Sequence, residues 1–216
     1  MALIPRDFFA RLSVPVAPEL LGCVLEHETA AGLVAVELTE VEAYAGASDP
    51  ASHAYRGKTA RNAVMFGPPG HAYVYFTYGM HFCVNVVCLG NGSASAVLLR
   101  AGRIIEGEEL ARARRTRGTT KIPFRDLARG PARLCQALDI DRSLDGADVC
   151  VPDSPLRMRW PDASTTARSA DRKILSGPRV GISAAAEVPW RFWVEGEPTV
   201  SAYRPAVPRR RKLVTP

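Results

Sequence analysis

No stretch of the 216-residue sequence strings together enough apolar residues to cross a bilayer, and the opening MALIPRDFFARL lacks the apolar core of a signal peptide. These two absences argue against a membrane protein and against export. The five cysteines (Cys23, Cys83, Cys88, Cys135 and Cys150) are odd in number and show no C-x-x-C spacing. A disulfide framework, a zinc site and an iron–sulfur cluster are therefore not indicated, and reduced thiols in a cytoplasmic setting are expected. No internal repeat or low-complexity linker divides the chain. Acidic residues are outnumbered: 22 Asp and Glu face 28 Lys and Arg, giving a net charge of +6.

What is present suits one domain with its own core, since 47% of residues are hydrophobic and 23% charged. The basic excess concentrates in ARARRTRGTTK (Ala111 to Lys121) and RRRK (Arg209 to Lys212). Such runs fit either a solvated face or a polyanionic partner. GLVAVELTEVEAY (Gly32 to Tyr44), SASAVLLRAGRII (Ser93 to Ile105), RVGIS and WRFWVEG read as strands, EGEELARARR and GPARLCQALDI as helices. The expected class is α+β: one domain spanning residues 1–216, with a strand-rich mixed sheet, flanking helices and a protruding hairpin. Residues 205–216 form a basic tail. The Pro- and Gly-rich connection 45–71 is long for a compact domain, which points to function.

AYVYFTYGMHFCVNV (Ala72 to Val86) is the hairpin. Ala72, Val74 and Phe76, with Phe82, Val84 and Val86, make one apolar face; Tyr73, Tyr75, His81, Cys83 and Asn85 make the other. A loop centred on Met80 would set Tyr75 opposite Asn85. Tyr78 sits beside Gly79 at the tip, where a ring would meet water. In the long strand, Glu40 and Glu42 continue the apolar face of Val34, Val36 and Leu38. Buried carboxylates there would be costly unless paired, so spacing alone favours a strand that emerges into solvent.

VEAYAGASDPASHA, MFGPPGHAYVYFTYGMHFCVNV, VLLRAG, GPARLCQAL and SGPRVGI, in this order, resemble the alkyladenine (3-methyladenine) DNA glycosylase family. Nothing resembles the helix–hairpin–helix glycosylases. The resemblance implies a monofunctional enzyme that needs neither metal nor organic cofactor. It would act as a monomer on duplex DNA carrying damaged purines, in the cytoplasm with the nucleoid in a bacterium, or in the nucleus of a eukaryote. It further implies that Glu42 activates the water, that Arg100 helps to hold that water, and that Tyr44, His53 and Tyr75 sandwich an everted base. Asn85 would crowd the amino group of guanine, and Tyr78 would fill the vacated stack with Gly79, Met80 and His81 beside it. Thr59, Arg61 and Asn62 of TARNA correspond to a T-P-R-N backbone grip, with Ala60 replacing the proline, and Arg179 is a weaker candidate for the same duty. No lysine falls at a catalytic motif position, so a Schiff-base step is not expected. Two other readings stay open at this point: an idle damage-recognition protein, and a module that stacks unpaired RNA bases.

Overall fold

The computed structural model describes residues 2–77, 79–90, 92–116, 121–161 and 172–206. Two short helices, α1 (Arg6–Phe9) and α2 (Ser13–Glu19), precede β1 (Val24–Thr29) and the long β2 (Gly32–Tyr44). The hairpin strands β3 (Ala72–Thr77) and β4 (His81–Cys88) follow, then β5 (Ser95–Glu106), α3 (Glu108–Arg115) and α4 (Pro131–Leu138). Three short strands, β6 (Leu156–Arg159), β7 (Ile174–Gly177) and β8 (Arg191–Val194), complete one eight-stranded sheet. Its main path runs β3-β4-β5-β2-β1-β6, with β8 joining β2 to β7. Every strand pairing described is antiparallel, so the sheet is not mixed as expected.

One face of the sheet packs α2, α3 and α4 over an apolar core that includes Val36, Leu38, Val41, Val84, Leu99, Leu134 and Leu138. Leu134, Cys135 and Leu138 form the buried stripe of α4, whose Pro131 takes the first helical position, where a missing N–H costs nothing. In α3, acids occupy the first turn and arginines the last, as the helix dipole favours. Those arginines staple neighbouring backbone: Arg112 donates to the Ile122 carbonyl, Arg114 to Ala137 and Arg115 to Leu127. In this part of the basic run the charges serve the fold. The tail from residue 207 onward, including RRRK, lies outside the described residues.

The pairing of β2 with β5 is irregular between Leu38 and Val41. Before it, even-numbered Val34, Val36 and Leu38 face the core; after it, odd-numbered Val41 and Ala43 do. The irregularity therefore rotates Glu40, Glu42 and Tyr44 away from the apolar core and towards the opposite face. On the same edge of β2, β1 gives way to β8, which pairs Glu40 with Trp193 and Glu42 with Arg191. The strand does not emerge into solvent: Glu40 and Glu42 are both 0% exposed.

The opposite face carries a smaller cluster of Ala54, Met65, Tyr73, Val87 and Ala96, where the 45–71 connection folds onto β3, β4 and β5. The hairpin has the expected faces, but its register differs by two residues: Tyr73 pairs with Asn85 and Tyr75 with Cys83. The turn is tighter than parity required. Met80 N donates to the Thr77 carbonyl at 3.2 Å, and Gly79 supplies the positive φ of +69° that this turn needs. RVGIS is not a strand; the ladder partner of β8 is the preceding ILSG of β7. Its backbone is used elsewhere, as described below.

Gly102 of β5 pairs with Leu38 of β2 and leaves no room for a side chain. A methyl group there would meet Val36 Cγ1 at 2.3 Å and the Glu37 carbonyl oxygen at 2.4 Å. Gly102→Ala should lower stability by about 1–3 kcal/mol, read as a fall in the urea midpoint. An unchanged midpoint would mean that the strands separate there at no cost.

Candidate active site

Glu40, Glu42 and Arg100 come together beside the irregularity, with Arg191 reaching in from β8. Arg100 Nε donates to Glu40 Oε1 at 2.7 Å, and its Nη1 lies 3.3 Å from Glu42 Oε1. Arg191 Nε donates to the same Glu40 oxygen at 2.7 Å. Two carboxylates thus face two guanidiniums in a neutral buried quartet. Glu40 is saturated, since it also accepts from Ser201 N at 2.7 Å and Ser201 Oγ at 2.8 Å. Burial alone would raise the Glu40 carboxyl's pKa, but Arg100 and Arg191 outweigh it and hold the group below its ordinary value. Burial would likewise lower Arg100, yet Glu42 and Glu40 push it above the arginine norm.

Glu42 has a different neighbourhood. Tyr44 Oη donates to Oε2 at 2.8 Å and Val180 N donates to Oε1 at 2.7 Å. With Arg100, that makes three donors around an acceptor-only group, which offers about four lone-pair positions. All three groups line a cleft of about 250 Å3, together with His53, Tyr73, Tyr75, Cys83 and Asn85. Tyr44 and Tyr75 both have hydroxyls raised well above the usual tyrosine value, first by burial and then, respectively, by Glu42 and Cys83. Both therefore stay neutral.

The aromatic wall is a linked set. The Tyr73 and Tyr75 rings stack with centroids 5.4 Å apart, and His53 meets Tyr75 edge-on at 4.6 Å. His53 Nδ1 lies 3.1 Å from Tyr73 Oη. The packing that partly desolvates His53, helped by the nearby Arg61 guanidinium, lowers its pKa, so the ring is neutral at pH 7. Tyr73 was not among the sequence candidates, although it shares the odd-numbered face with Tyr75 and Asn85. Val180 was also missed, and had no side-chain signal, because it contributes a backbone N–H.

The other candidates divide by placement. Arg61 is exposed, with its guanidinium 5.8 Å from the Tyr75 ring centroid. Thr59 is exposed as well. Asn62 is buried, and its side chain knits the loop: Oδ1 accepts from Thr59 N and Oγ1, while Nδ2 donates to the carbonyls of His53 and Gly57. Its side-chain amide is thereby fully engaged within the loop. Arg179 is likewise not at a surface, being 1% exposed and paired with Asp49. Asn85 is buried against the cleft and donates to the Tyr73 carbonyl at 3.3 Å. Gly79 and Met80 are exposed at the hairpin turn, Met80 at 65%, and His81 is half-buried opposite Thr77. Tyr78 lies outside the described residues. Among the described residues, no group of three or more His, Cys, Asp and Glu is arranged to hold a metal ion, and no helix is long and apolar enough to cross a membrane.

A second cleft of about 500 Å3 shares Arg100, Pro131 and Val180 with the first. Arg129, Arg133 and Arg204 line it against a single acid, Asp126. Cationic side chains beside an aromatic pocket with a buried carboxylate suit a polyanionic ligand that carries a flat ring.

Comparison with known proteins agrees with that class. The sequence model of the family described as methylpurine-DNA glycosylase (MPG) matches residues 7–198. A protein of Streptomyces avermitilis is 56% identical over 211 residues, covering 97% of this chain and 95% of its own length. One of Leifsonia xyli is 52% identical, covering 92% of each, and one of Methanocella arvoryzae is 44% identical, covering 95% of this chain and 98% of its own. All three are provisionally named 3-methyladenine DNA glycosylase. The chain belongs to the methylpurine-DNA glycosylase family, and it is a DNA glycosylase enzyme of DNA repair.

Removing one partner from the quartet leaves a buried charge unopposed. Glu40→Ala should destabilise the fold by about 3–5 kcal/mol in urea unfolding. A loss below about 1 kcal/mol, the size of an exposed pair, would show that Glu40 is not holding the two arginines.

Proposed function

We propose that this chain everts an alkylated or deaminated purine from duplex DNA and hydrolyses its N-glycosidic bond, leaving an abasic site. The observation that carries this reading is Glu42: a buried carboxylate whose three donors all line an aromatic cleft. An everted base would stack among Tyr44, His53 and Tyr75, with Tyr73 fixing the His53 ring. Each such stack contributes roughly 1–3 kcal/mol. Extrusion leaves a gap in the duplex, and Tyr78, which precedes Gly79, Met80 and His81 in the sequence, would fill it.

In the cleavage step, Glu42 accepts a proton from a water held at its remaining lone-pair position, with Arg100 alongside. The water oxygen bonds to the sugar carbon as the bond to the purine breaks, and the electron pair leaves with the base. A cationic alkylated purine departs neutral. Asn85, facing the cleft from β4, would exclude a guanine amino group. Thr59 and Arg61 would meet the backbone at the rim, and the arginine-lined cleft would receive the strand beside the everted nucleotide. The protein would act as a monomer on DNA in the cytoplasm.

Glu42→Gln should slow base release by roughly 10²–10⁴-fold in single-turnover assays, while duplex DNA containing an abasic-site analogue still binds. Normal release by that variant removes Glu42 from its role, and absence of release by the unaltered protein from any alkylated or deaminated duplex defeats the reading. Arg133→Ala and Arg204→Ala should each reduce the slope of log affinity against log salt by about 1. Unchanged slopes would place the strand elsewhere.

A further inference from the structure

Arg179 was expected at a DNA phosphate, but its surroundings suit a different task. Its Nη1 and Nη2 donate to Asp49 Oδ2 and Oδ1 at 2.5 and 2.8 Å, a two-pronged pair with both side chains fully buried. Nη1 also donates to the Ala43 carbonyl at 3.0 Å. The guanidinium carbon sits 4.7 Å from the Tyr44 ring centroid and 5.3 Å from that of Trp190. The guanidinium therefore lies over both aromatic rings. Nε has no partner among the described residues, although a buried donor is normally satisfied. The fork is placed for stacking and for Asp49, not to satisfy every N–H.

Three parts of the site meet at this pair. Tyr44 and the Ala43 carbonyl belong to the end of β2. Asp49 belongs to the connection that carries Ala51 and His53, and its carboxylate also accepts from Ala45 N and Ala51 N. Arg179 itself is followed directly by Val180, whose N–H holds Glu42. We infer that Arg179 is a positioning residue: clamped by Asp49, it sets the rear of the Tyr44 ring and aims the Val180 N–H at Glu42. The base-stacking wall and the carboxylate are thereby registered against each other, and Arg179 never touches DNA. Lysine cannot replace it, because an ammonium has neither the planar face nor the fork.

This inference rests on the glycosylase reading above. The test uses the full chain and a duplex carrying whichever lesion the unaltered protein releases fastest. Arg179→Lys, with Asp49→Asn as the partner variant should lysine impair folding, should reduce the single-turnover rate at saturating protein by about 10–100-fold, the effect of a displacement near 1 Å. Affinity for abasic-analogue DNA and the salt slope should stay within about 3-fold and within about 0.3 of the unaltered values. A fall in affinity and salt slope with the rate at saturation intact would make Arg179 a phosphate ligand after all and overturn the inference. An unchanged rate in both variants would overturn it as well, leaving the glycosylase reading standing. No release by the unaltered protein would overturn both.

Discussion

The structure turns on the cost of holding Glu40, Glu42, Arg100 and Arg191 out of water. Isolated, each charge would lose several kcal/mol of solvation on burial. Together they cancel, and the hydrogen bonds from Ser201, Val180 and Tyr44 use most of the remaining acceptor positions. Cancellation requires that β2, β5 and β8 deliver their charges to one point. The strand irregularity does this: without it, even-numbered carboxylates would point into the apolar core against Val36 and Leu38.

Within the quartet the two carboxylates are not equivalent. Glu40 accepts from two guanidiniums and from Ser201, and its contacts fix geometry. Glu42 shares Arg100 only at 3.3 Å and takes its nearer bonds from a tyrosine hydroxyl and a loop N–H. Glu40 therefore immobilises Arg100, and Arg100 borders the cleft with an orientation set from behind. A site built this way presents a rigid cation next to an acceptor that still has room for one more donor.

Much of the fold could be read from pattern. The alternation in Gly32 to Tyr44 and in the hairpin marks strands because one face is buried, and the Pro131 start with its Leu134–Leu138 stripe marks a helix. The register of the hairpin was not legible, since parity allows a shift of two and only the turn hydrogen bond from Met80 to Thr77 selects among the options. The fate of Glu40 and Glu42 was not legible either, because Glu40 is paired with arginines 60 and 151 residues away in sequence and Glu42 shares the first of them. The motif order picked out five of the fifteen residues that line the cleft: Tyr44, His53, Tyr75, Asn85 and Arg100. It missed Tyr73, whose odd parity was visible, and Val180, which acts through its backbone. It matched Asn62, and more weakly Arg179, to a DNA-backbone contact, and only tertiary contact reveals that both side chains are buried and bonded inside the protein.

The same interior polar groups explain how the sheet presents aromatic surface to a cleft. Tyr44, Tyr73 and Tyr75 each need a partner for a hydroxyl in a water-poor site, and a tyrosine without one would turn outward. Glu42 takes Tyr44, His53 takes Tyr73, and the thiol of Cys83 lies across the ladder from Tyr75. The rings are thus oriented by polar contacts at their edges, which leaves π-surface for a substrate. A neutral His53 fits this design: it adds no charge to the aromatic wall of Tyr73 and Tyr75. The aromatic wall and the donors to the buried Glu42 carboxylate thus belong to one cleft.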